Sequence, residues 1–513
     1  MSDRHAAPAS RSSATGVLGL IERAGNLLPH PFLLFAILSA LLAVASWALS
    51  ALGVSAVSPA SGKLITAQNL LSDAGLQLVV GDLIENFTSF PPLGTALVVM
   101  LGVAVADKSG LLHTAIRASL SRVSPRWVTF VLALVAMFAH VGADAAYIVL
   151  IPLGGVVFRA AGRSPVLGIV VALVAISGGS AASPILIPND AILAGLTEAA
   201  AHTIDPAYVV SPAANYFFSA VSSILLAAVI TLVVETYLAK RVDLRVDDDA
   251  TEHPEHDTAL QLSAVERRGM RNAGIAAAGF VVVLTAAVIP PWSPLRGEGG
   301  SLLESLLVAD IAVFLALFFA LVGIAYGVTV GEIRSVGDVP TMMAGGIRDM
   351  APILVLFFVI SQFLAYFKWT RVGELIALHG ADVLRAAGAH GVLLFGGLLV
   401  VISLINLFIT SGSAQWALVA PVFVPMFMLL DIPPETTLAL YRIADSCTNV
   451  VTPMSPYFIM ALGFIQQHRK KAGIGTLAAM TTPLAAAMFL SWTALFFGWW
   501  ALDIPFGFGG TAR

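Results

Sequence analysis

The chain has 513 residues, 58% of them hydrophobic and 11% charged, with a mean hydropathy of +0.90. That composition excludes a soluble domain, while the net charge of -4 says little, because in such a chain the distribution of charge is what counts. The single cysteine, Cys447, excludes an intramolecular disulfide and leaves the redox compartment open.

Arg4, Arg11 and Arg23 lie in a leader before the first apolar run. It is too long for the n-region of a cleaved signal peptide, and no early small-residue cleavage site interrupts the run. Residues 16–28 are predicted to form a short amphipathic helix on the membrane surface; 1–15 read equally well as a disordered leader. Crossing a bilayer takes roughly 20 apolar residues. Candidate spans are 30–52, 93–105, 165–196 and 212–238 in the first half. After the most polar stretch, 240–271, come 272–288, 306–327, 351–366, 434–464 and 476–500, nine in all.

Two segments stand outside that count. Residues 126–158 and 390–430 are each a pair of apolar arms around a polar tip: His140-Val141-Gly142-Ala143-Asp144 in the first, Thr410-Ser411-Gly412-Ser413 in the second. An arm of about 15 residues rises only about 22 Å, short of the roughly 30 Å hydrocarbon core. Re-entrant hairpins meeting near mid-membrane are therefore predicted; two full crossings per pair would satisfy the charge pattern equally. Non-helical backbone at that depth must be buried in protein or face a water cavity.

Positive clusters set the inside face. They are Lys108, Arg117, Arg122 and Arg126; Arg159 and Arg163; Lys240, Arg241, Arg245, Arg267, Arg268 and Arg271; and Arg469, Lys470 and Lys471. The stretch 54–90 has only Lys63, and 197–211 has neither Lys nor Arg. Nine spans put all four clusters on one face, with a cytoplasmic N-terminus and an external C-terminus. The fold class expected is an all-α polytopic membrane protein of about nine spans plus two hairpins, arranged as an inverted-topology repeat. Residues 1–239 form the first repeat (spans 1–4, hairpin at about 125–158), 240–271 a cytoplasmic connector, and 272–513 the second (spans 5–9, hairpin at about 390–430).

Residues 142–184 and 411–453 align without a gap. At one constant offset Asp144 matches Ser413, Tyr147 Trp416, Pro152 Pro421, Phe158 Phe427, Pro165 Pro434 and Ser177 Ser446; Ser183-Pro184 matches Thr452-Pro453. Related Pro- and Ser-interrupted segments in two halves of a membrane protein point to a transporter's binding site.

The span 434–464 holds Arg442, Asp445, Ser446, Thr448, Asn449, Thr452, Pro453, Ser455 and Pro456, too many polar groups for a lipid-facing helix. Arg442 and Asp445 share a helix face at i,i+3, with Asn449 one turn on. Pro453 is predicted to break the helix near 446–452. Freed carbonyls with Asp, Asn, Ser and Thr oxygens suit Na⁺, and freed N–H groups suit a carboxylate. Alternatively, Arg442 and Asp445 simply neutralise each other. In the sister span Ser177, Gly178, Gly179, Ser180, Ser183 and Pro184 mark a second break. Asp190 beyond it is either a substrate or proton ligand or the cap of the second half-helix. Trp416 is a candidate to stack on an aromatic substrate, Asn406 an ion ligand or a carbonyl cap, and His140 a hydrogen bonder or a proton carrier.

The stretch Ser413-Ala414-Gln415-Trp416, Pro434, Tyr441-Arg442-Ile443-Ala444-Asp445-Ser446, Asn449 and Thr452-Pro453 resembles the p-aminobenzoyl-glutamate transporter (AbgT) family. Pro91-Pro92-Leu93-Gly94, Leu101-Gly102-Val103 and Lys108-Ser109-Gly110 look like that family's second span. The resemblance implies a homodimer in the bacterial inner membrane, with nine spans and two hairpins. It implies import of p-aminobenzoyl-glutamate, or export of p-aminobenzoate-like sulfonamide antimetabolites. By the family pattern Ser413, Trp416, Pro434, Arg442, Asp445, Pro453 and Asp190 line the substrate path, and Asn406, Asp445 and Asn449 match an ion site. The expected partners are a small aromatic carboxylate, the bilayer and a second copy, with no nucleic acid. No cofactor is expected beyond a coupling ion, Na⁺ or H⁺. An enzyme is not expected: His140 and Asp144, one turn apart, make a weak metal site, and no phosphate-binding loop supports an ATP-driven pump. A channel would not need two inverted hairpins.

Overall fold

The computed structural model describes residues 29–57, 64–121, 123–240, 261–290, 292–296, 305–388, 391–508 and 510. The leader with its expected surface helix, Arg122 and most of the connector (241–260) lie outside the described residues.

The first half runs α1 (Pro31–Ala51), a small antiparallel pair β1 (Ser55–Val57) and β2 (Leu64–Thr66), α2 (Asp73–Gly81), α3 (Leu83–Thr88), α4 (Pro91–Lys108), α5 (Leu111–Leu120), α6 (Val128–Ala139), α7 (Ala143–Ala160), α8 (Pro165–Gly178), α9 (Pro188–Ala201) and α10 (Tyr216–Thr236). The second half runs α11 (Ala264–Val288), α12 (Leu306–Ala309), α13 (Ile311–Val330), α14 (Asp338–Trp369), α15 (Val372–Ala386), α16 (Gly391–Asn406), α17 (Gly412–Met428), α18 (Pro434–Asn449), α19 (Pro456–His468) and α20 (Ile474–Ala501).

Seven helices, α1, α4, α10, α11, α13, α14 and α20, are long and apolar enough to cross a membrane. Two more spans are broken, α8/α9 and α18/α19, giving the nine expected. The arms of the hairpins α6/α7 and α16/α17 have 12 to 18 residues, or about 18–27 Å. The order hairpin, broken span, long helix occurs once in each half. The protein is thus an all-α polytopic membrane protein built on the predicted repeat.

The breaks follow from proline chemistry. Proline removes the bond to the carbonyl four residues back, so Pro453 ends α18 at Asn449, and Pro456 starts α19. The helix therefore continues through Ser446, and the break (450–455) begins later than the 446–452 expected. In the sister span α8 ends at Gly178, and Pro188 opens α9.

The ends of the helices sort into two sets that touch within each set. Arg117 pairs with Glu266, Lys108 with Asp349 (2.7 Å), Arg163 with Glu235 (2.8 Å), and Arg159 meets His468 (3.2 Å). At the other set Gln68 N donates to Thr370 O (2.9 Å), Phe508 N to Ala213 O (3.0 Å) and Tyr208 OH to Glu435 (2.9 Å). The first set carries the basic clusters.

Close approach of the spans depends on small residues, as is usual in membranes. A side chain at Gly102 would overlap the Ala316 backbone, and Gly323 lies against Val105 and Ala106, so α4 and α13 pack backbone to backbone. Gly102→Ala is expected to force the two helices apart at a cost of about 1–3 kcal/mol, read as a lower thermal midpoint of the purified protein. An unchanged midpoint would show that α13 can shift to make room.

Each hairpin packs on the broken span of the other half: α7 contacts α19, and α17 contacts α9. Tyr147 stacks on Tyr457 at 3.8 Å, and Trp416 Nε1 donates to Thr197 Oγ1 at 2.9 Å. Tyr147 and Trp416 are matched positions of the repeat, so the same position reaches across the molecule in both halves.

Candidate functional site

The two breaks and the second hairpin converge on the C-terminal part of α18. Arg442 and Asp190 are 2% and 6% exposed, and Arg442 Nη1 donates to Asp190 Oδ1 at 2.6 Å. Asp190 Oδ2 accepts from Ile187 N at 2.8 Å, so the same carboxylate caps the start of α9. Both readings of Asp190, cap and ligand to a charged group, thus hold together. The alternative in which Arg442 and Asp445 neutralise each other does not hold here: the ion partner of Arg442 is Asp190, because the α9 N-terminus lies across from α18. Arg442 Nε is buried with no hydrogen-bond partner.

Asp445 faces the second hairpin. Its carboxylate lies against Gly412, where an added Cβ would sit 3.1 Å from Oδ2, and Oδ1 accepts from Asn449 Nδ2 at 3.3 Å. Tyr441 OH donates to Gly412 O at 2.5 Å. Asn406 Nδ2, from the end of α16, donates to Asp445 O (2.6 Å) and Thr448 Oγ1 (2.7 Å). These acceptors fix both amide orientations, since a carbonyl and a carboxylate need a donor. The amide oxygens of Asn406 and Asn449 are then buried without partners. Asn406 is therefore a carbonyl cap through its nitrogen and leaves an oxygen to spare.

The breaks themselves are tied in. Ser446 and Ser180 hydroxyls lie 3.0 Å apart, joining the two broken spans. Thr452 Oγ1 donates to Leu407 O (2.8 Å), and Ser183 Oγ accepts from Ile185 N (3.3 Å). Ser177 Oγ is buried without a partner, Pro184 is half-buried in its break, and Pro453 is buried in the other. Ser413 is half-buried at the start of α17. Pro434 opens α18 and lies about 22 Å from Asn449 along the helix, outside this cluster. The side chain of Asp144 lies outside the described residues. His140 meets Ile176 O (2.7 Å) and Tyr147 OH (3.2 Å), as a structural hydrogen bonder would.

Trp416 is fully buried, and its ring lies 4.4 Å from that of Tyr441, tilted by 34°. Stacking on a substrate ring would require that packing to open. Thr197→Val would strand the indole N–H and is expected to cost about 1–3 kcal/mol. In a Trp416→Phe background the same change should cost less, because no indole N–H remains to be stranded and only the Thr197 bond to Leu193 O is lost. Equal losses in both backgrounds, measured by thermal unfolding, would show that the bond carries nothing.

The family model "AbgT putative transporter family" matches residues 16–513. The chain belongs to the AbgT transporter family. It is 35% identical over 501 residues to the p-aminobenzoyl-glutamate transport protein of Escherichia coli (strain K12), covering 97% of each chain. The YdaH transporter of Alcanivorax borkumensis, whose structure is described as having an unusual topology, superposes with a TM-score of 0.88 at 39% identity, covering 93% of this chain and all of that one. MtrF of Neisseria gonorrhoeae, described as illuminating a class of antimetabolite efflux pumps, superposes with a TM-score of 0.89 at 37% identity, over 94% and 97% of the two chains.

Within this AbgT architecture Thr197, Tyr457 and Glu435 also take part, residues that the motif pattern does not single out. Thr197 and Tyr457 hold the hairpins across the repeat and carry no local signal. Glu435 does carry one: it is an acid inside a predicted span, 1% exposed, overlooked beside Pro433 and Pro434.

Proposed function

We propose that this membrane transporter is a secondary active carrier of p-aminobenzoyl-glutamate or related aromatic carboxylates, coupled to an ion gradient with Na⁺ favoured. The observation that carries the reading is the buried Arg442, one donor on Asp190 and Nε without a partner. A guanidinium kept out of water with a spare donor suits a carboxylate substrate. Asn406 Oδ1, Asn449 Oδ1 and the Asp445 carboxylate supply hard oxygens for Na⁺ beside it. Two hairpins crossed onto two broken spans supply the two gates of alternating access.

A second reading, a proton-driven exporter of sulfonamide antimetabolites or p-aminobenzoate, draws on the likeness to MtrF. It also draws on Asp190, since protonating that carboxylate would release Arg442. Uptake of labelled p-aminobenzoyl-glutamate into proteoliposomes under imposed Na⁺ or H⁺ gradients separates the two. Na⁺-driven accumulation is expected; accumulation that ignores Na⁺ and collapses with a protonophore would overturn the sodium reading and favour the proton-driven one.

The protein is proposed to sit in the bacterial inner membrane as a homodimer, N-terminus cytoplasmic and C-terminus periplasmic. The basic clusters at one set of helix ends support this orientation. In a Cys447→Ala background, a cysteine at Thr203 should react with an impermeant maleimide in intact cells, and one at Arg267 should not. The reverse pattern would invert the topology.

A further inference from the structure

We infer that Glu435 is a proton-binding site at the outer end of the transport path, and that its proton decides whether the 202–215 segment stays closed on α18. The inference uses the orientation and alternating access proposed above, but not the identity of the coupling ion.

Glu435 is the second residue of α18. Its Oε2 accepts from Tyr208 OH at 2.9 Å, and its backbone carbonyl accepts from Asn215 Nδ2 at 3.0 Å. These two bonds hold the 202–215 segment against the helix. Among the described residues no cation pairs with Glu435, and the segment contains neither Lys nor Arg. The titratable groups on the elements around it are chiefly acids. Glu198 accepts from Val210 N (3.0 Å), Asp205 accepts from Ala207 N (2.9 Å), and Asp431 lies in the turn before α18. Among the described residues the bases are His202, whose Nε2 lies 3.0 Å from Tyr208 O, and Arg385, which pairs with Asp382 and donates to Leu429 O in the turn before α18. Burial, and then the nearby Glu435, hold the Tyr208 phenol well above its ordinary range, so it stays a donor.

The fold does not require an acid here. The repeat pairs Glu435 with Val166, which is fully buried at the start of α8. Glu435, Arg442 and Asn449 are spaced by seven and share one face of α18, each step rising about 10 Å. The site thus stands two turns outward from the Arg442–Asp190 pair. Asn215, the N-cap of α10 that binds the Glu435 carbonyl, leaves its Oδ1 buried without a partner, as do Ser219 Oγ and Ser222 Oγ on the following turns of α10. Such atoms are rare in proteins and are the groups that ordered water satisfies.

A carboxylate without a cation is costly in this setting. The closed segment therefore suits the protonated acid, with Oε2 as the carbonyl oxygen facing Tyr208 and the proton on Oε1. Losing that proton to external water leaves a charge that must be hydrated, which favours opening. Rising external pH should open this end, and falling pH should close it.

Infrared pH titration of the purified protein in lipid reads the acid directly, through the carbonyl stretch of a protonated carboxyl group. A component that disappears as pH rises is expected in the wild type, in Asp190→Asn and in Asp445→Asn. It should be absent in Glu435→Gln and shifted in frequency in Tyr208→Phe. The same titrating signal in wild type and Glu435→Gln would overturn the proposal. Should Glu435→Gln fail to assemble, an unshifted band in Tyr208→Phe would overturn it instead. In proteoliposomes Glu435→Gln should flatten the dependence of transport on external pH, whereas an unchanged profile would count against the gate. If wild type fails to move p-aminobenzoyl-glutamate, the substrate reading falls while the infrared result still decides the proton site.

Discussion

Arg442→Ala is expected to abolish transport and to destabilise the protein by about 3–5 kcal/mol, because it leaves the buried Asp190 carboxylate without its cation. Arg442→Lys should also be badly impaired, since an ammonium cannot reproduce donors in a planar fork that serve Asp190 and a substrate carboxylate at once. The informative variant is Arg442→Ala/Asp190→Asn. Removing both charges should restore most of the thermal stability but none of the uptake. Recovery of uptake in that double variant would reduce Arg442 to a neutralising partner and remove it from the substrate path. Pairing the change with Asp445 instead would be uninformative, because the structure puts Asp445 against the hairpin and not on the guanidinium.

Asp445→Asn is expected to eliminate Na⁺-stimulated uptake. Asn449→Ala should preserve the maximal rate but raise the Na⁺ needed for half of it roughly tenfold, equivalent to about 1.4 kcal/mol. The argument rests on oxygen count. Asn406 and Asn449 each spend their nitrogen on a neighbour and leave an oxygen buried without a donor. Two neutral oxygens beside a carboxylate suit a bare cation, while a proton needs only the carboxylate. Wild-type uptake that is independent of Na⁺, and is lost with Asp190→Asn, would dismiss the sodium site.

Much of this architecture was legible in the sequence, for identifiable reasons. Apolar run length located the spans, and the prolines located both breaks, since Pro453 cannot bond back to Asn449. The match of Tyr147 with Trp416 announced a repeat, although only the structure shows that both reach into the opposite half. What was not legible is long-range. Arg442 and Asp190 lie far apart in the chain, and no periodicity connects them, so the sequence offered only Asp445, on the same helix face, as an alternative ion partner. The short amphipathic helices α5 and α15 were missed because a search for 20-residue runs passes over ten to fifteen residues. Glu435 was readable by the rule that singled out Asp445, yet its place beside two prolines made it look like the edge of a span.

The crossed seating of the hairpins also bears on how the chain is made. Tyr147 cannot find Tyr457, nor α7 its bed on α19, until roughly 300 further residues have left the ribosome, a wait of about 15–60 s at ordinary synthesis rates. Through that interval the first hairpin has helical arms too short to span and only its own half to lie against, through α8 and the His140 contact with Ile176 O. The second hairpin can seat on α9 as soon as α17 is made, so the first hairpin closes last, and a chain halted before residue 456 should be cleared by proteolysis and not persist as a half-transporter.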